Sequence, residues 1–326
     1  MSVPDVQARW SRRINTVSLG AKPAEGGTRG STVTVGGAEG IPFLDIDGAT
    51  PFAPAIALDV LDVPPQGWPD PLAEVYSDVW SDPAAWAERA KSLGADLINL
   101  RLAGTHPDEG DRSATEAVAT VRAVLEAVDL PLIVWGCEVP AKDQEVMPAV
   151  AEAAQGEKCL LGAATETDYR TLAAAAQGYG HKLIALSPCD INKAKQVNIL
   201  ISDAGFPLED IVIYPTTAAL GYGMEYVYSI LERGRLAALS GDRLMAQPVI
   251  LDVGYEAWRT KEARVGDEAA GLWGPAAKRG PAWEAVTAGA LLQGGADLLV
   301  MRHPQAVAAV RQLIAELVAD AAVAAT

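Results

Sequence analysis

Eight times along this chain a short β-rich apolar run is followed by a turn, an amphipathic stretch and a glycine, and then the next run begins. The runs cover residues 55–62, 96–102, 131–136, 159–165, 182–187, 211–216, 248–253 and 297–302. Apolar runs of this length with little alternation are strands covered on both faces, and the helical stretches between them make the sheet parallel. Cap-like residues open the helical stretches, as in Ser81-Asp82-Pro83 and at Asp168. In the last stretch Val307, Val310, Leu313, Ile314, Leu317 and Val318 fall on one helical face. The 264 residues from 55 to 318 give 33 per unit, the size of one strand–helix repeat, so the fold class expected is an α/β TIM (β/α)8 barrel. A doubly wound dinucleotide fold would want Gly-x-Gly-x-x-Gly directly after a strand, and no run ends that way. The glycines precede the runs instead, at Gly94, Gly180, Gly205 and Gly295, where they would end helices at the bottom of the barrel.

The first 54 residues break the pattern. Thr16-Val17-Ser18-Leu19 and Thr32-Val33-Thr34-Val35 alternate polar and apolar around a Gly-rich stretch, which predicts a hairpin. Residues 1–54 are therefore read as an arm covering the barrel bottom, and 55–326 as the barrel. Residues 254–280 read as an enlarged top-face loop.

Charge narrows the function. Lys and Arg number 26 against 42 Asp and Glu, a formal net charge of −16 that repels nucleic acid and anionic membrane surfaces. The N-terminal residues carry no apolar leader and no run is long enough to span a bilayer, so a cytoplasmic protein is expected. Cys137, Cys159 and Cys189 are dispersed, too few for a four-thiolate cluster, and read as packing residues.

Top-face chemistry must come from the C-terminal strand ends. The chain has three histidines, and His181 precedes its strand, so no metal site is expected. Lys182 begins a strand rather than ending it, a Gly-x-Ser-x-Gly elbow is absent, and Arg302-His303-Pro304 replaces a Gly-rich phosphate loop. No catalytic residue is assigned. The strand ends offer instead an aromatic, glycine-punctuated rim: Gly221 and Gly223 for close backbone approach, with Tyr222, Tyr226, Tyr255 and Trp258 as flat surfaces. Such a rim suits a large flat ligand or another protein.

Several stretches carry a resemblance. Leu220-Gly221-Tyr222-Gly223-Met224-Glu225-Tyr226 is followed by Ile230-Leu231-Glu232-Arg233 and Ala238-Leu239-Ser240-Gly241-Asp242. With them go Ser187-Pro188-Cys189-Asp190-Ile191-Asn192, Asn198-Ile199-Leu200-Ile201-Ser202, the segment Val253-Gly254-Tyr255-Glu256-Ala257-Trp258-Arg259-Thr260-Lys261-Glu262-Ala263, and Val300-Met301-Arg302-His303-Pro304. Together they resemble the small (delta) subunit of the corrinoid iron–sulfur protein of the CO dehydrogenase/acetyl-CoA synthase (acetyl-CoA decarbonylase/synthase) complex, over roughly residues 40–318.

The resemblance implies a TIM barrel in a heterodimer with a large subunit that carries a four-iron cluster and a corrinoid. The cobalt would carry a methyl group from methyltetrahydrofolate or a related pterin, through a separate methyltransferase, to acetyl-CoA synthase in the Wood–Ljungdahl pathway. The corrinoid would lie at the subunit interface over the top of this barrel. Residues expected to face it are Asn99, Arg101, Thr165, Asp190, Asn192, Thr216, Gly221, Tyr222, Gly223, Asp252, Tyr255, Glu256, Arg302 and His303. His303 lacks an Asp-x-His-x-x-Gly context, so no cobalt ligand is assigned to this chain. The rival reading is a freestanding pterin-dependent methyltransferase, with Asn99 and Asp252 grasping the pterin ring.

Overall fold

The structure is a computed structural model, and it describes residues 7–44 and 47–324. The first six residues, part of the arm and of the leader argument, lie outside the described residues, as do 45, 46, 325 and 326.

All eight apolar runs are strands: β3 Ala55–Leu61, β4 Leu97–Arg101, β5 Leu132–Trp135, β6 Leu160–Ala164, β7 Lys182–Leu186, β8 Ile211–Tyr214, β9 Ile250–Asp252 and β10 Leu298–Met301. They pair in parallel in the order β8-β7-β6-β5-β4-β3-β10-β9. A parallel bridge from Ile213 to Val249 joins the remaining two edges and makes the ring nearly closed. The fold is the TIM barrel that the repeat predicts. Closure leaves no long open edge, and the two-sided burial that follows is why these strands read as unbroken apolar runs.

Period-two alternation sorts each strand. Ile56, Leu58 and Val60 point outward and pack with helix residues such as Trp86, Val121 and Met147. Ala55 and Ala57, with Leu97, Ile133, Leu160, Ile250 and Leu298, fill the interior. Gly180 and Gly295 end their helices in the left-handed conformation, at φ +77° and +105°, which only glycine adopts without strain.

Ahead of the barrel, β1 Thr16–Leu19 pairs antiparallel with β2 Val33–Gly36, Leu19 lying opposite Val33. Val17, Leu19 and Val35 join the interior cluster beside Ala55, Leu97 and Leu298, residues at the start of their strands. Arg29 anchors the connection. It is buried, and its guanidinium donates to Glu157 Oε2 at 2.7 Å and to the carbonyls of Val128 at 2.6 Å and Leu125 at 2.7 Å. A buried guanidinium is tolerable only when its donors are matched, as here.

Residues 254–280 correct the loop reading, because they are largely helical: Val253–Ala257, Lys261–Arg264 and Asp267–Ala270 precede the long helix Ala276–Gly294. Thr260 caps the second by accepting from the Ala263 N–H. Arg279 holds the segment from below, donating to the carbonyls of Glu262, Val265 and Gly274. Among the described residues no helix is long and apolar enough to cross a membrane.

Candidate functional site

The alternation that puts Ala57 and Leu97 inside the barrel puts Asp59, Asn99, Arg101, Asp252 and Arg302 inside it at the opposite, C-terminal end. Asp59 is the centre of this layer. Its Oδ1 accepts from Asn99 Nδ2 at 2.7 Å and Arg101 Nε at 3.4 Å, and its Oδ2 from Arg302 Nε at 2.9 Å and Nη2 at 2.7 Å. Arg101 Nη2 goes on to Asp252 Oδ2 at 2.7 Å. Two carboxylates thus balance two guanidiniums in a site closed to solvent. Both arginines hold the Asp59 carboxyl below its ordinary range despite burial, whereas burial raises Asp252, with Arg101 opposing.

Aromatic faces complete the arginine packing. Arg302 lies 4.9 Å from the Trp68 ring centre and 5.4 Å from Tyr255, and Arg101 lies 5.2 Å from Trp135 and 5.5 Å from Tyr255. Tyr255 divides the mouth into two recesses. One, of about 400 Å³, lies toward Trp68, Pro64, Arg264 and Arg302. The other, of about 510 Å³, lies toward Thr165, Tyr214, Thr216, Asp252 and Glu256. Three non-glycine residues at strand exits, Glu138, Cys189 and Thr216, adopt positive φ of +65°, +28° and +69°. Such strain clusters where a fold holds loops for a task.

Of the residues named from the sequence, Asn99, Arg101, Asp252, Tyr255 and Arg302 meet in one connected group, and Thr165, Thr216 and Glu256 line the second recess with Asp252 and Tyr255. Thr165 Oγ1 is engaged with Asp168 Oδ1 at 2.5 Å, and Thr216 donates to the Ser187 carbonyl at 2.7 Å. Asp190 turns to its own helix, accepting from the N–H groups of Asn192 and Lys193 as an N-cap, and Asn192 is exposed on that helix. Gly221, Tyr222 and Gly223 form the turn before the helix Met224–Leu239, with Tyr222 Oη donating to Glu262 at 2.9 Å.

His303 and Trp258 differ from the rim reading. Both are buried and stacked on each other, 5.6 Å between ring centres, because Trp258 Nε1 reaches Glu284 at 2.7 Å beneath the rim. Burial lowers the His303 pKa to about 4. Glu284 also accepts from the N–H groups of Arg302 and His303, and burial pushes its carboxyl up to about 7. The cysteines split: Cys159 is buried, Cys137 half-buried and Cys189 exposed, so packing explains only the first.

Sequence reasoning missed Asp59, Glu284 and Trp68. Asp59 did leave a signal, as the one charge inside Ala-Ile-Ala-Leu-Asp-Val-Leu and in parity with the interior Ala55 and Ala57. Glu284 and Trp68 left none, since a helix carboxylate and a loop tryptophan look ordinary without their neighbours.

Residues 16–316 match the family model of the CO dehydrogenase/acetyl-CoA synthase delta subunit. The chain belongs to that family. It is 41% identical over 311 residues to the acetyl-CoA decarbonylase/synthase complex subunit delta of Archaeoglobus fulgidus, covering 92% of this chain and 68% of the relative. It is 39% identical over 312 residues to subunit delta 1 of Methanosarcina thermophila, covering 94% and 71%. Among solved structures, dihydropteroate synthase of Xanthomonas albilineans superposes with a TM-score of 0.55 at 17% identity, covering 81% of this chain and 92% of that one. Dihydropteroate synthase of Coxiella burnetii gives 0.54 at 14% identity, covering 87% and 99%. That likeness concerns the barrel fold.

In this delta-subunit family member the Gly-Tyr-Gly turn can be tested directly. Gly221 and Gly223 have φ of +77° and +99°, yet a Cβ would meet nothing closer than 4.0 Å and 3.5 Å. Within the chain, the constraint on these glycines is the backbone conformation. Gly223→Val is therefore expected to lower stability by about 1–2 kcal/mol through left-handed strain, and Gly223→Asn by much less. Urea unfolding of the two variants checks this.

Proposed function

We propose that this chain is the barrel subunit that caps a corrinoid carried by a larger partner in an acetyl-CoA-forming or acetyl-CoA-cleaving complex. The observation that carries the reading is the apolar surface at the strand-exit end. Tyr222 is 50% exposed, Tyr226 66% and Trp273 46%, and Leu272 is fully exposed beside Trp273. Lys261 lies over the Trp273 ring and its N–H donates to Tyr222 Oη, so the patch is continuous. Aromatic surface of this kind, bordered by charge, is what a protein interface uses as anchors. The relatives are named as subunits of a complex, which supports a partner for this chain as well.

The mouth residues suit a corrinoid, whose edge carries primary amides. Thr165, Glu256 and the half-exposed Tyr255 offer acceptors and one flat face at the rim. When bound, the corrinoid supplies cobalt as the methyl carrier. This chain's part is to bind and orient the edge amides at about 0.5–1.5 kcal/mol each, and to keep water off the face it covers. With binding spread over several side chains, no single rim residue dominates. The larger partner would hold the cluster and corrinoid, a pterin-specific methyltransferase would deliver the methyl group, and acetyl-CoA synthase would receive it.

The test is co-expression with the large subunit of the same complex. The double variant Tyr222→Ala, Tyr226→Ala is expected to weaken association by about tenfold or more, measured by titration calorimetry. Unchanged affinity would place the interface elsewhere. Trp258→Ala is unsuited to this purpose, because Trp258 is a core residue.

A further inference from the structure

Between the short helix Lys261–Arg264 and the long helix Ala276–Gly294 the chain makes a closed excursion. Its two stems meet at Arg279, a buried side chain whose guanidinium donates to the carbonyls of Glu262 and Val265 on one stem and of Gly274 on the other. Asp267 Oδ1 joins the stems a second time by accepting from the Ala276 N–H at 2.6 Å. Within residues 266–274 only Ala270 is buried. A loop of this length with its ends tied together is a compact surface element, and such elements frequently carry function.

The tip of the excursion is Gly271-Leu272-Trp273-Gly274. Both glycines have positive φ, +57° and +81°, so a turn stands on either side of the apolar pair. Leu272 is fully exposed, and Trp273 is 46% exposed with Lys261 over its ring. This chain leaves Leu272 uncovered, and an apolar tip held in shape by its own stems loses little freedom when another molecule covers it. Asp267 and Glu268, both exposed, give the tip an acidic collar.

We propose that Leu272 and Trp273 form a preformed knob that inserts into an apolar pocket, edged with basic side chains, on the larger subunit of the complex. The inference rests on the reading of this chain as a subunit, and it adds where on the rim the anchor sits and what chemistry receives it. The collar decides the class of partner. An anionic bilayer would repel Asp267 and Glu268, as it would the net charge of −16. A knob and its pocket on two copies of one chain would join them head to tail without closing, whereas a different chain ends the contact after one step. A basic edge facing the collar also speeds encounter.

The test measures equilibrium and rates of association between the full chain and the large subunit. Leu272→Ser, at a fully exposed position where folding is not at risk, and Trp273→Ala are each expected to weaken association about tenfold or more. Glu268→Lys should slow association several-fold and leave dissociation nearly unchanged. The proposal is overturned if either tip variant keeps the wild-type affinity, or if Glu268→Lys associates as fast as wild type. Tip-dependent binding of the chain to phosphatidylcholine–phosphatidylglycerol vesicles would give the knob to a membrane, and tip-dependent self-association in sedimentation would give it to a second copy. Either result overturns it. Its failure is distinguishable from that of the subunit reading. Tip variants that bind normally while the double variant Tyr222→Ala, Tyr226→Ala binds weakly remove the knob alone, and normal binding by all three removes the rim interface as well.

Discussion

Asp59→Ala is expected to lower the unfolding free energy by about 3–5 kcal/mol, the cost of leaving buried guanidiniums without their counter-charge. The reason is geometric. Asp59 receives both Nε and Nη2 of Arg302, Nε of Arg101 and the amide of Asn99, and is itself buried, so its loss leaves all four donors without their acceptor. Urea unfolding should show a lower midpoint with an unchanged slope. The pH dependence has a defined sign. Because the arginines hold the folded-state carboxyl below its ordinary value, its contribution is full above that ordinary value and is lost as pH falls through the folded-state value. The variant should lack this part of the acid limb. A loss under about 1 kcal/mol would mean that the arginines find other partners, and the layer would not be held as described.

Glu284 gives a prediction of opposite sign. Burial raises its carboxyl from an ordinary 4.5 to about 7, so between these values the folded chain keeps a proton that the unfolded chain has released. Its contribution to stability is full below pH 4.5 and declines as pH rises to about 7, by about 3 kcal/mol in all. Glu284→Gln cannot titrate. The difference in unfolding free energy between wild type and variant should therefore slope across this window and flatten on either side. A flat difference throughout would show that the folded carboxyl titrates at its ordinary value, the N–H groups of Trp258, Arg302 and His303 offsetting its burial.

Much of the barrel was legible because burial on both faces forces a visible pattern. Strand β7 at Lys182–Leu186 begins where its run begins, and β3 at Ala55–Leu61 ends one residue short of its run. The site was legible in part. Arg101, Asp252 and Arg302 stand at strand ends, which marks them as site candidates whatever they touch. Asp190 satisfies the same rule, but a carboxylate two residues ahead of free helix N–H groups turns to cap them. Trp258 reads as a rim aromatic because it follows the seventh strand's exit, but the helix Val253–Ala257 intervenes and turns it into the core, leaving Tyr255 and Arg259 exposed.

By itself the sequence determined the number of barrel strands and where along the chain each lies, to within one or two residues at either end, since these follow from the apolar runs and from the turn residues that end each unit. The tertiary structure decided which inward side chains share a layer. Asn99 lies 40 residues from Asp59, Arg101 lies 151 from Asp252, and Arg302 lies 243 from Asp59. Period two tells only inside from outside; the stagger between neighbouring strands and the closing of the ring set the height of each inward residue. At one height that closure set two carboxylates against two arginines, and it left one buried oxygen of Asp252 without a hydrogen-bond partner.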